Sequence, residues 1–366
     1  MTSEKGSEYG RLEPMLAALE ALVRCESPTE DIDACRSVVQ LASDIATRVL
    51  GVPAQIKEIE GRPVFWWGAE EPRVLVLAHL DTVWPHGSYQ PVWEINGDVL
   101  RGPGTFDMKA GFIQALYALK GIEGSVALVA TTDEETGSHA SKALIKDLSS
   151  KADAVLVLEA SLDGKVKTGR KGTAMYQIKV HGLAAHAGLE PEKGVNTTTE
   201  IAHAILALAA LENVEHGTTV VPTLLHSGNT TNTVPDLAVL DIDARSFSQA
   251  ELERVDAAIK KFAPVNPQAR LEITGGLNRP PLQPSSTQEL YERAEKVAAA
   301  MGMKPLGSAE VGGASDGNFA AAAGARVLDG LGAVGGGAHA PNEWVSIAAM
   351  QERSDFLHNF IKDLLS

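Results

Sequence analysis

The sequence has few cysteines, fewer basic than acidic residues, and no long apolar run. Only Cys25 and Cys35 occur among the 366 residues. This excludes a scaffold of several disulfides and leaves two reduced thiols or one bridge. Lysine and arginine number 32 against 47 aspartates and glutamates, a formal net charge of −15, which argues against nucleic acids and anionic membranes as main partners. No stretch approaches the roughly 20 apolar residues that span a bilayer, and residues 1–16 show no signal core, so we expect a cytoplasmic protein.

Apolar runs of strand length alternate with helical patterns through much of the chain. Three of them have the composition of strands buried on both faces, at 73–80, 125–135 and 152–161. This alternation predicts an α/β fold with a mostly parallel central sheet. Residues 172–281 instead follow the order β-α-β-β-α-β, which is typical of a ferredoxin-like α+β domain. We therefore expect a discontinuous main domain, 1–171 and 282–366, with a smaller domain inserted at 172–281.

Histidines and carboxylates cluster at the ends of predicted strands and at glycine turns. They are His79, Asp81, Asp107, Glu134, Glu135, Glu159 and His339. In open α/β sheets the carboxyl ends of the strands line one crevice, so these side chains can converge there. Several carboxylates in one crevice repel each other, and a divalent cation relieves that repulsion. Imidazole and carboxylate suit Zn²⁺, and carboxylates also suit Mn²⁺, so the sequence predicts a metal site.

The first of these groups shows how such a site is built. His79 and Asp81 are two residues apart after an apolar run, so their side chains share a face if the strand continues. His79 can then bind a metal through one ring nitrogen while Asp81 accepts the proton of the other. Taken alone, the pair favours a core histidine beside an aspartate that caps a helix or a turn. The remaining acidic residues favour the metal.

Eight segments resemble, in order, the sequence blocks of the M20 family of zinc aminoacylases and exopeptidases. They are HLDTVWPHG (79–87), GPGTFDMKAG (102–111), TTDEETGS (131–138), LEAS (158–161), HAGLEPEKGVN (186–196), NTTNTVP (229–235), GGASDGN (312–318) and GGGAHAPNEWV (335–345). Within the family, DTVWPHG and NRPPL resemble the glutamate carboxypeptidase branch. The resemblance implies a zinc-exopeptidase-like catalytic domain with an inserted lid and dimerisation domain, and hence a homodimer.

The resemblance also implies two Zn²⁺ ions per chain, with Mn²⁺ or Co²⁺ as substitutes. By motif, His79 and Glu159 would bind one ion, Glu135 and His339 the other, and Asp107 would bridge both. The family often has two adjacent aspartates at the bridge, whereas this chain has Asp107 followed by methionine. The bridging residue is kept, so we expect metal binding to be kept, with a cis peptide bond after Asp107.

Other residues receive roles from the same resemblance. Glu134 would be the general base, and Asp81 would support the metal-bound histidine. Five residues would contact the substrate: His186, Asn232, Arg279, Arg245 and Gly313. An arginine fork binds a carboxylate through two parallel hydrogen bonds, although each arginine could equally form an internal salt bridge. Arg279 is favoured because the branch places its carboxylate-binding arginine there.

The function implied is hydrolysis of an amide bond beside a free carboxylate, such as removal of a C-terminal glutamate from a peptide, folyl or N-acyl conjugate. Deacylation of N-acyl amino acids by the same chemistry is the alternative. A serine hydrolase is a formal rival, because GASDG contains Ser315 in a G-x-S-x-G pattern, followed by Asp329 and His339. A non-catalytic binding protein is disfavoured, since every expected ligand and Glu134 are present.

Overall fold

The computed structural model describes residues 11–366, which divide into two compact units. The large unit comprises the chain up to Gly169 together with Gln283–Val311 and Ser315–Ser366. The small unit comprises Arg170–Leu282 and Gly312–Ala314. Each unit has its own hydrophobic core.

A six-stranded sheet forms the centre of the large unit. Its strand order is Gln55–Ile59, Arg62–Gly68, Val126–Thr131, Val74–His79, Ala154–Val157 and Val327–Leu328. The last four strands are parallel to one another, and the first two add to the edge by antiparallel pairing. The three middle strands are buried along their whole length, as their continuous apolar runs predicted. The α/β prediction is confirmed.

Helices cover this sheet, and shorter strands extend the large unit. The helices are Leu12–Arg24, Ile32–Leu50, Ala110–Ala118, Lys142–Lys151, Pro284–Ala300, Asp316–Ala322 and Ile347–Leu365, with short helical turns at Thr105–Lys109 and Glu134–Thr136. A second sheet has the order Gly335–Gly336, Trp344–Ser346, Val99–Arg101 and Glu94–Asn96, and Ser308–Val311 pairs with Val166–Arg170. The second sheet pairs the segment before Asp107 with the segment after His339.

The small unit contains a four-stranded antiparallel sheet. Its strand order is Thr219–Ser227, Leu237–Ser246, Gly172–His181 and Arg270–Arg279. Helices Thr197–Ala209 and Gln249–Ile259 complete the β-α-β-β-α-β order, Ala185–His186 pairs with Thr233–Val234, and single 3-10 turns lie at Pro191–Lys193 and Val214–His216. Its core is built from the alternating apolar side chains of these strands and from the helices.

Local sequence determines where individual helices begin and end. The side chain of Asp31 accepts hydrogen bonds from the backbone N–H groups of Asp33 and Ala34 and so begins the helix Ile32–Leu50. Gly51 ends that helix with a φ of 75°, in the left-handed region that glycine adopts readily. The side chain of Ser248 accepts a hydrogen bond from the backbone N–H of Glu251 and so begins the helix Gln249–Ile259.

Two further expectations concern cysteines and membranes. Both Cys25 and Cys35 are free thiols, so the disulfide alternative is wrong. Among the helices within residues 11–366, none combines the length and apolar character needed to cross a membrane.

Candidate metal centre

The carboxyl ends of parallel strands bring the predicted ligands of the large unit together. His79 is the last residue of the strand Val74–His79. It is paired with Thr131, the last residue of the neighbouring strand, and the turn that carries Glu134 follows Thr131 in the chain. Glu159 follows the next strand by two residues. All three are buried, with 1%, 8% and 8% of their surface exposed. One ligand atom from each lies within 4.8 Å of the others.

The carboxylate of Asp107 lies between two histidines. Its Oδ1 is 3.2 Å from Nε2 of His79, and its Oδ2 is 3.3 Å from Nε2 of His339. On the first side Glu159 Oε1 lies 3.8 Å from His79 Nε2, and on the second side Glu135 Oε2 lies 3.0 Å from His339 Nε2. Each oxygen of Asp107 therefore faces one histidine, and each histidine has a glutamate beside it, an arrangement suited to a carboxylate that bridges two cations.

The electrostatics of this cluster favour bound positive charge. Burial lowers the pKa of His79, but hydrogen bonds to Asp107 and Asp81 outweigh burial and raise its pKa well above the ordinary value. Hydrogen bonds to Asp107 and Glu135 raise the pKa of His339 to about 10. Burial raises the pKa of Glu135, while the two histidines hold the pKa of Asp107 low against its own burial. The imidazole and carboxylate donors fit Zn²⁺ or Mn²⁺. Either cation would offset the negative charge of the carboxylates that surround it.

Asp81 supports His79 from the other ring nitrogen. Its backbone carbonyl lies 3.1 Å from His79 Nδ1, and its carboxylate Oδ1 lies 3.4 Å away. The carboxylate is held by Thr29 Oγ1 and by the backbone N–H of Glu135, which donate to Oδ2 at 2.8 and 3.2 Å. The sequence predicts that Asp81 accepts the proton of this nitrogen, and the structure places the backbone carbonyl of Asp81 closer to Nδ1 than its carboxylate. Either oxygen accepts a proton on Nδ1 and leaves Nε2 for a cation.

A buried carboxylate that sequence reasoning missed anchors the segment of Asp107. Glu343 is fully buried. It accepts hydrogen bonds from the backbone N–H groups of Gly104, Phe106 and Asp107 at 3.0, 2.8 and 3.1 Å, and from the indole of Trp84 at 3.2 Å. Burial raises the pKa of Glu343 to about 7. The three backbone donors among these hold the segment that presents Asp107 against Glu343.

The residues after Asp107 tie this segment to its surroundings. The peptide bond between Asp107 and Met108 is cis, as the resemblance implied. The thioether of Met108 accepts a hydrogen bond from the backbone N–H of His79 at 3.1 Å. The ammonium of Lys109 is buried and donates at 3.0 and 3.1 Å to two carbonyls at the end of the helix Leu12–Arg24. The last carbonyls of a helix have no N–H partner within that helix. The ammonium of Lys109 donates hydrogen bonds to them and so joins the segment of Asp107 to the end of this helix.

Ser315 has a structural role in this fold. Its hydroxyl is fully buried, donates to Asp329 at 2.6 Å, and accepts from the backbone N–H of Gly317 as the N-cap of the helix Asp316–Ala322. His339, which a serine triad would require beside Ser315, instead faces the carboxylates of Asp107 and Glu135. The geometry therefore disfavours the serine hydrolase reading.

Two of the predicted substrate residues are neighbours in the small unit. The backbone carbonyl of Asn232 accepts from the N–H of Ala187, next to His186, at 2.8 Å. The Nδ1 atom of His186 accepts hydrogen bonds from the backbone N–H groups of Gly188 and Leu189, both at 3.1 Å. A neutral ring with an accepting Nδ1 carries its proton on Nε2, so the outward-facing nitrogen of His186 is a hydrogen-bond donor.

The two arginines flank one residue of the small-unit sheet. Arg245 and Arg279 are both register partners of Thr173, on the strands either side of it. Arg245 forms a two-point ion pair with Asp243, at 2.8 and 2.9 Å, and donates to the carbonyl of Gly312. This favours the internal salt bridge for Arg245. Arg279 is buried at the end of its strand, with 7% of its surface exposed.

The remaining substrate candidate is a glycine turn in the same unit. The carbonyl of Gly313 accepts from Arg170 Nη1 at 2.9 Å. This contact fixes the turn Gly312–Ala314 against the small unit, to which that turn belongs.

Comparison with known proteins agrees with this geometry. The profile of "Peptidase family M20/M25/M40" matches residues 75–363. The chain is 31% identical over 309 residues to carboxypeptidase G2 of Pseudomonas sp. (strain RS-16), covering 80% of this chain and 74% of the relative. It is 26% identical over 318 residues to succinyl-diaminopimelate desuccinylase of Sulfurovum sp. (strain NBC37-1), covering 80% and 84%. The solved M20 metallo-carboxypeptidase Sso-CP2 of Sulfolobus solfataricus shares the fold, with a TM-score of 0.74, 20% identity, and 96% and 99% of the two chains covered.

Proposed function

The chain belongs to peptidase family M20/M25/M40 and is a metal-dependent hydrolase, and we propose that it uses two zinc ions to cleave an amide bond beside a free carboxylate. One observation carries the proposal. Asp107 directs one oxygen toward His79 and the other toward His339, and a glutamate accompanies each histidine. Mn²⁺ or Co²⁺ could replace zinc at such ligands.

Residues of the large unit would manage the protons of the reaction. Two bound cations would lower the pKa of a coordinated water and polarise the amide carbonyl. Glu134 is buried beside His79 and Glu159, and in this proposal it accepts the proton of the attacking water and passes it to the departing amine. Its neighbour Glu135 contacts His339. The two adjacent glutamates would then divide their roles into base and ligand.

Residues of the small unit would bind the substrate. We assign the substrate carboxylate to Arg279, because the glutamate carboxypeptidase branch that the sequence resembles has its carboxylate-binding arginine at this position. His186 would donate from Nε2 to the oxyanion that forms in the transition state. Asn232 and the backbone of Gly313 would complete the contacts, as the family resemblance implies.

A homodimer through the small unit belongs to the same proposal. The strand Thr219–Ser227 is an edge of the small-unit sheet. It exposes three large apolar side chains, Val221 at 46%, Leu224 at 65% and Leu225 at 48%. An exposed apolar edge strand is a ready site for pairing with a second chain. Light scattering of the protein and of Leu224→Lys tests this, since the substitution should shift a dimer toward monomer.

Carboxypeptidase activity is the first choice of reaction. Its support is the 31% identity to carboxypeptidase G2, which exceeds the identity to the desuccinylases. The best substrate guess is a peptide, folyl or N-acyl conjugate that ends in glutamate. Deacylation of an N-acyl amino acid is the second candidate, favoured by the several desuccinylases among the relatives.

The test is hydrolysis of matched substrates by zinc-loaded protein with and without a chelator. The panel should contain pteroyl-glutamate-like conjugates, dipeptides, N-acetyl amino acids and N-succinyl amino acids. Chelator-sensitive release of glutamate supports the carboxypeptidase assignment, and cleavage of N-acyl amino acids alone supports the deacylase. Hydrolysis that continues after complete metal removal would contradict the proposed mechanism.

A further inference from the structure

We propose that Glu343 is a positioning residue that holds the bridging ligand Asp107 and the ligand His339 in register with each other. The proposal rests on the two-metal function above and concerns how this chain builds that site. Among the described residues, no hydrogen bond to the carboxylate of Glu343 comes from a predicted ligand side chain. Its contacts are to the backbone that carries Asp107 and to the indole of Trp84.

The chain path explains why one residue can act on two ligands. His339 and Glu343 lie in the connection between the paired strands Gly335–Gly336 and Trp344–Ser346. Trp344–Ser346 also pairs with Val99–Arg101, the strand that leads to Asp107. The connection is closed by backbone bonds from Ala340 to Gly337 and from Glu343 to Ala340, at 2.9 and 3.0 Å. Moving the carboxylate of Glu343 would therefore move both ligands relative to each other.

The three backbone N–H groups form a concave anion site filled by this carboxylate. Such a site arises when successive N–H groups point inward, and it requires unusual backbone angles. Gly104 supplies them with a φ of 66°. A Cβ atom added to Gly104 would lie 2.6 Å from the side chain of Thr82, so glycine is also the residue that fits. The segment is thus shaped to accept a negative side chain at this point.

The distribution of donors makes the carboxylate hard to replace. Oε1 accepts from Phe106 and Asp107, and Oε2 accepts from Gly104 and Trp84. In Glu343→Gln, either orientation of the amide would direct an NH₂ group at two N–H donors. The nearly isosteric substitution should therefore displace the Asp107 segment, although it barely alters side-chain volume.

A control variant separates positioning from stability. Glu200 is also a buried glutamate, with 6% of its surface exposed. Its Oε2 accepts a hydrogen bond from the backbone N–H of Val265 at 2.8 Å, and its Oε1 accepts one from the backbone N–H of Asn266 at 2.9 Å. It lies in the small unit, outside the unit that holds the predicted metal ligands. Glu200→Gln should lower thermal stability through the same kind of loss without affecting metal binding.

The experiment measures zinc content by mass spectrometry and zinc affinity by chelator competition for wild type, Glu343→Gln and Glu200→Gln. We expect Glu343→Gln to bind zinc about 10- to 100-fold more weakly, the usual cost of losing support around a metal ligand. The zinc content of this variant should fall below two ions per chain. Glu200→Gln should match wild type. Wild type that binds no zinc would refute the proposed function itself, before any variant is compared.

Equal zinc content and affinity in Glu343→Gln and wild type would overturn the positioning role, even if stability fell. If Glu343→Gln does not fold, Trp84→Phe decides the question, because it removes one donor to Glu343 and leaves the backbone contacts. Zinc affinity weakened several-fold in Trp84→Phe supports the role, and unchanged affinity contradicts it.

Discussion

Glu134→Gln is the sharpest test of the proposed chemistry, because geometry alone allows two roles for this residue. A ligand atom of Glu134 lies within 4.8 Å of those of His79 and Glu159, so Glu134 could bind a cation rather than act as a base. The two roles predict different losses. Loss of a general base from an intact metal site lowers turnover and leaves zinc in place, whereas loss of a metal ligand also releases zinc.

The expected magnitude follows from the role and from the local structure. A positioned general base contributes about 10²- to 10⁴-fold to rate, which is about 2.7–5.5 kcal/mol of activation free energy. The turn should survive the substitution, because it is held by neighbours. Asp133 accepts backbone N–H bonds from Ala140 and Ser141 at 2.8 and 3.2 Å, and Gly137 donates to the carbonyl of Glu134 at 2.9 Å. We therefore expect kcat to fall by that factor, with the zinc content and the melting temperature close to wild type.

The adjacent residue provides the matched comparison. Glu135→Gln removes the negative charge that faces His339 at 3.0 Å, so we expect it to lose zinc as well as activity. Zinc content by mass spectrometry and kcat under zinc saturation distinguish the two variants. Loss of zinc from Glu134→Gln, or retained turnover, would refute its role as the base.

Three further predictions address the other assignments. Ser315→Ala should keep full zinc-dependent activity and lose about 1 kcal/mol of unfolding free energy through its lost N-cap, and inactivity of the folded variant would revive the serine mechanism. Arg279→Lys should raise KM for a glutamate-terminated substrate by about 10- to 100-fold, because a two-point contact with the substrate carboxylate is lost. Arg245→Lys should raise KM less. If Arg245→Lys raises KM more than Arg279→Lys, the two arginines have the opposite roles. Burial raises the pKa of the Cys35 thiol to about 12, so iodoacetamide at pH 8 should leave Cys35 unmodified in the native protein, and rapid labelling measured by mass spectrometry would contradict this.

The sequence predicted the fold well where its signals were local. Continuous apolar runs identified the strands Val74–His79, Val126–Thr131 and Ala154–Val157, because a strand covered on both faces needs apolar residues throughout. Their parallel arrangement then implied that polar residues after each strand would meet. The large-unit ligand candidates converge as this reasoning expected, and the ion-pair distances around Asp107 record it.

Contacts that depend on backbone atoms were beyond sequence reasoning. The backbone carbonyl of Asp81 lies closer to His79 than its carboxylate does, and side-chain spacing gives no information about carbonyl positions. The sequence left an internal salt bridge and a substrate carboxylate equally open as partners of Arg245, and the structure shows the ion pair with Asp243, two residues away on the same strand. In both cases the deciding quantity is a distance that only the folded chain provides.

The role proposed for Glu343 follows from the fold and could not be predicted from the sequence. In the sequence it is a single acidic residue before Trp344, four positions after His339, and nothing in its spacing distinguishes it from a surface glutamate. In the fold it is fully buried and accepts four hydrogen bonds. A buried carboxylate is costly to desolvate unless such donors surround it, so its retention in the core needs a reason other than hydrophobic stability. Positioning of Asp107 is that reason if zinc affinity, rather than stability alone, falls in Glu343→Gln.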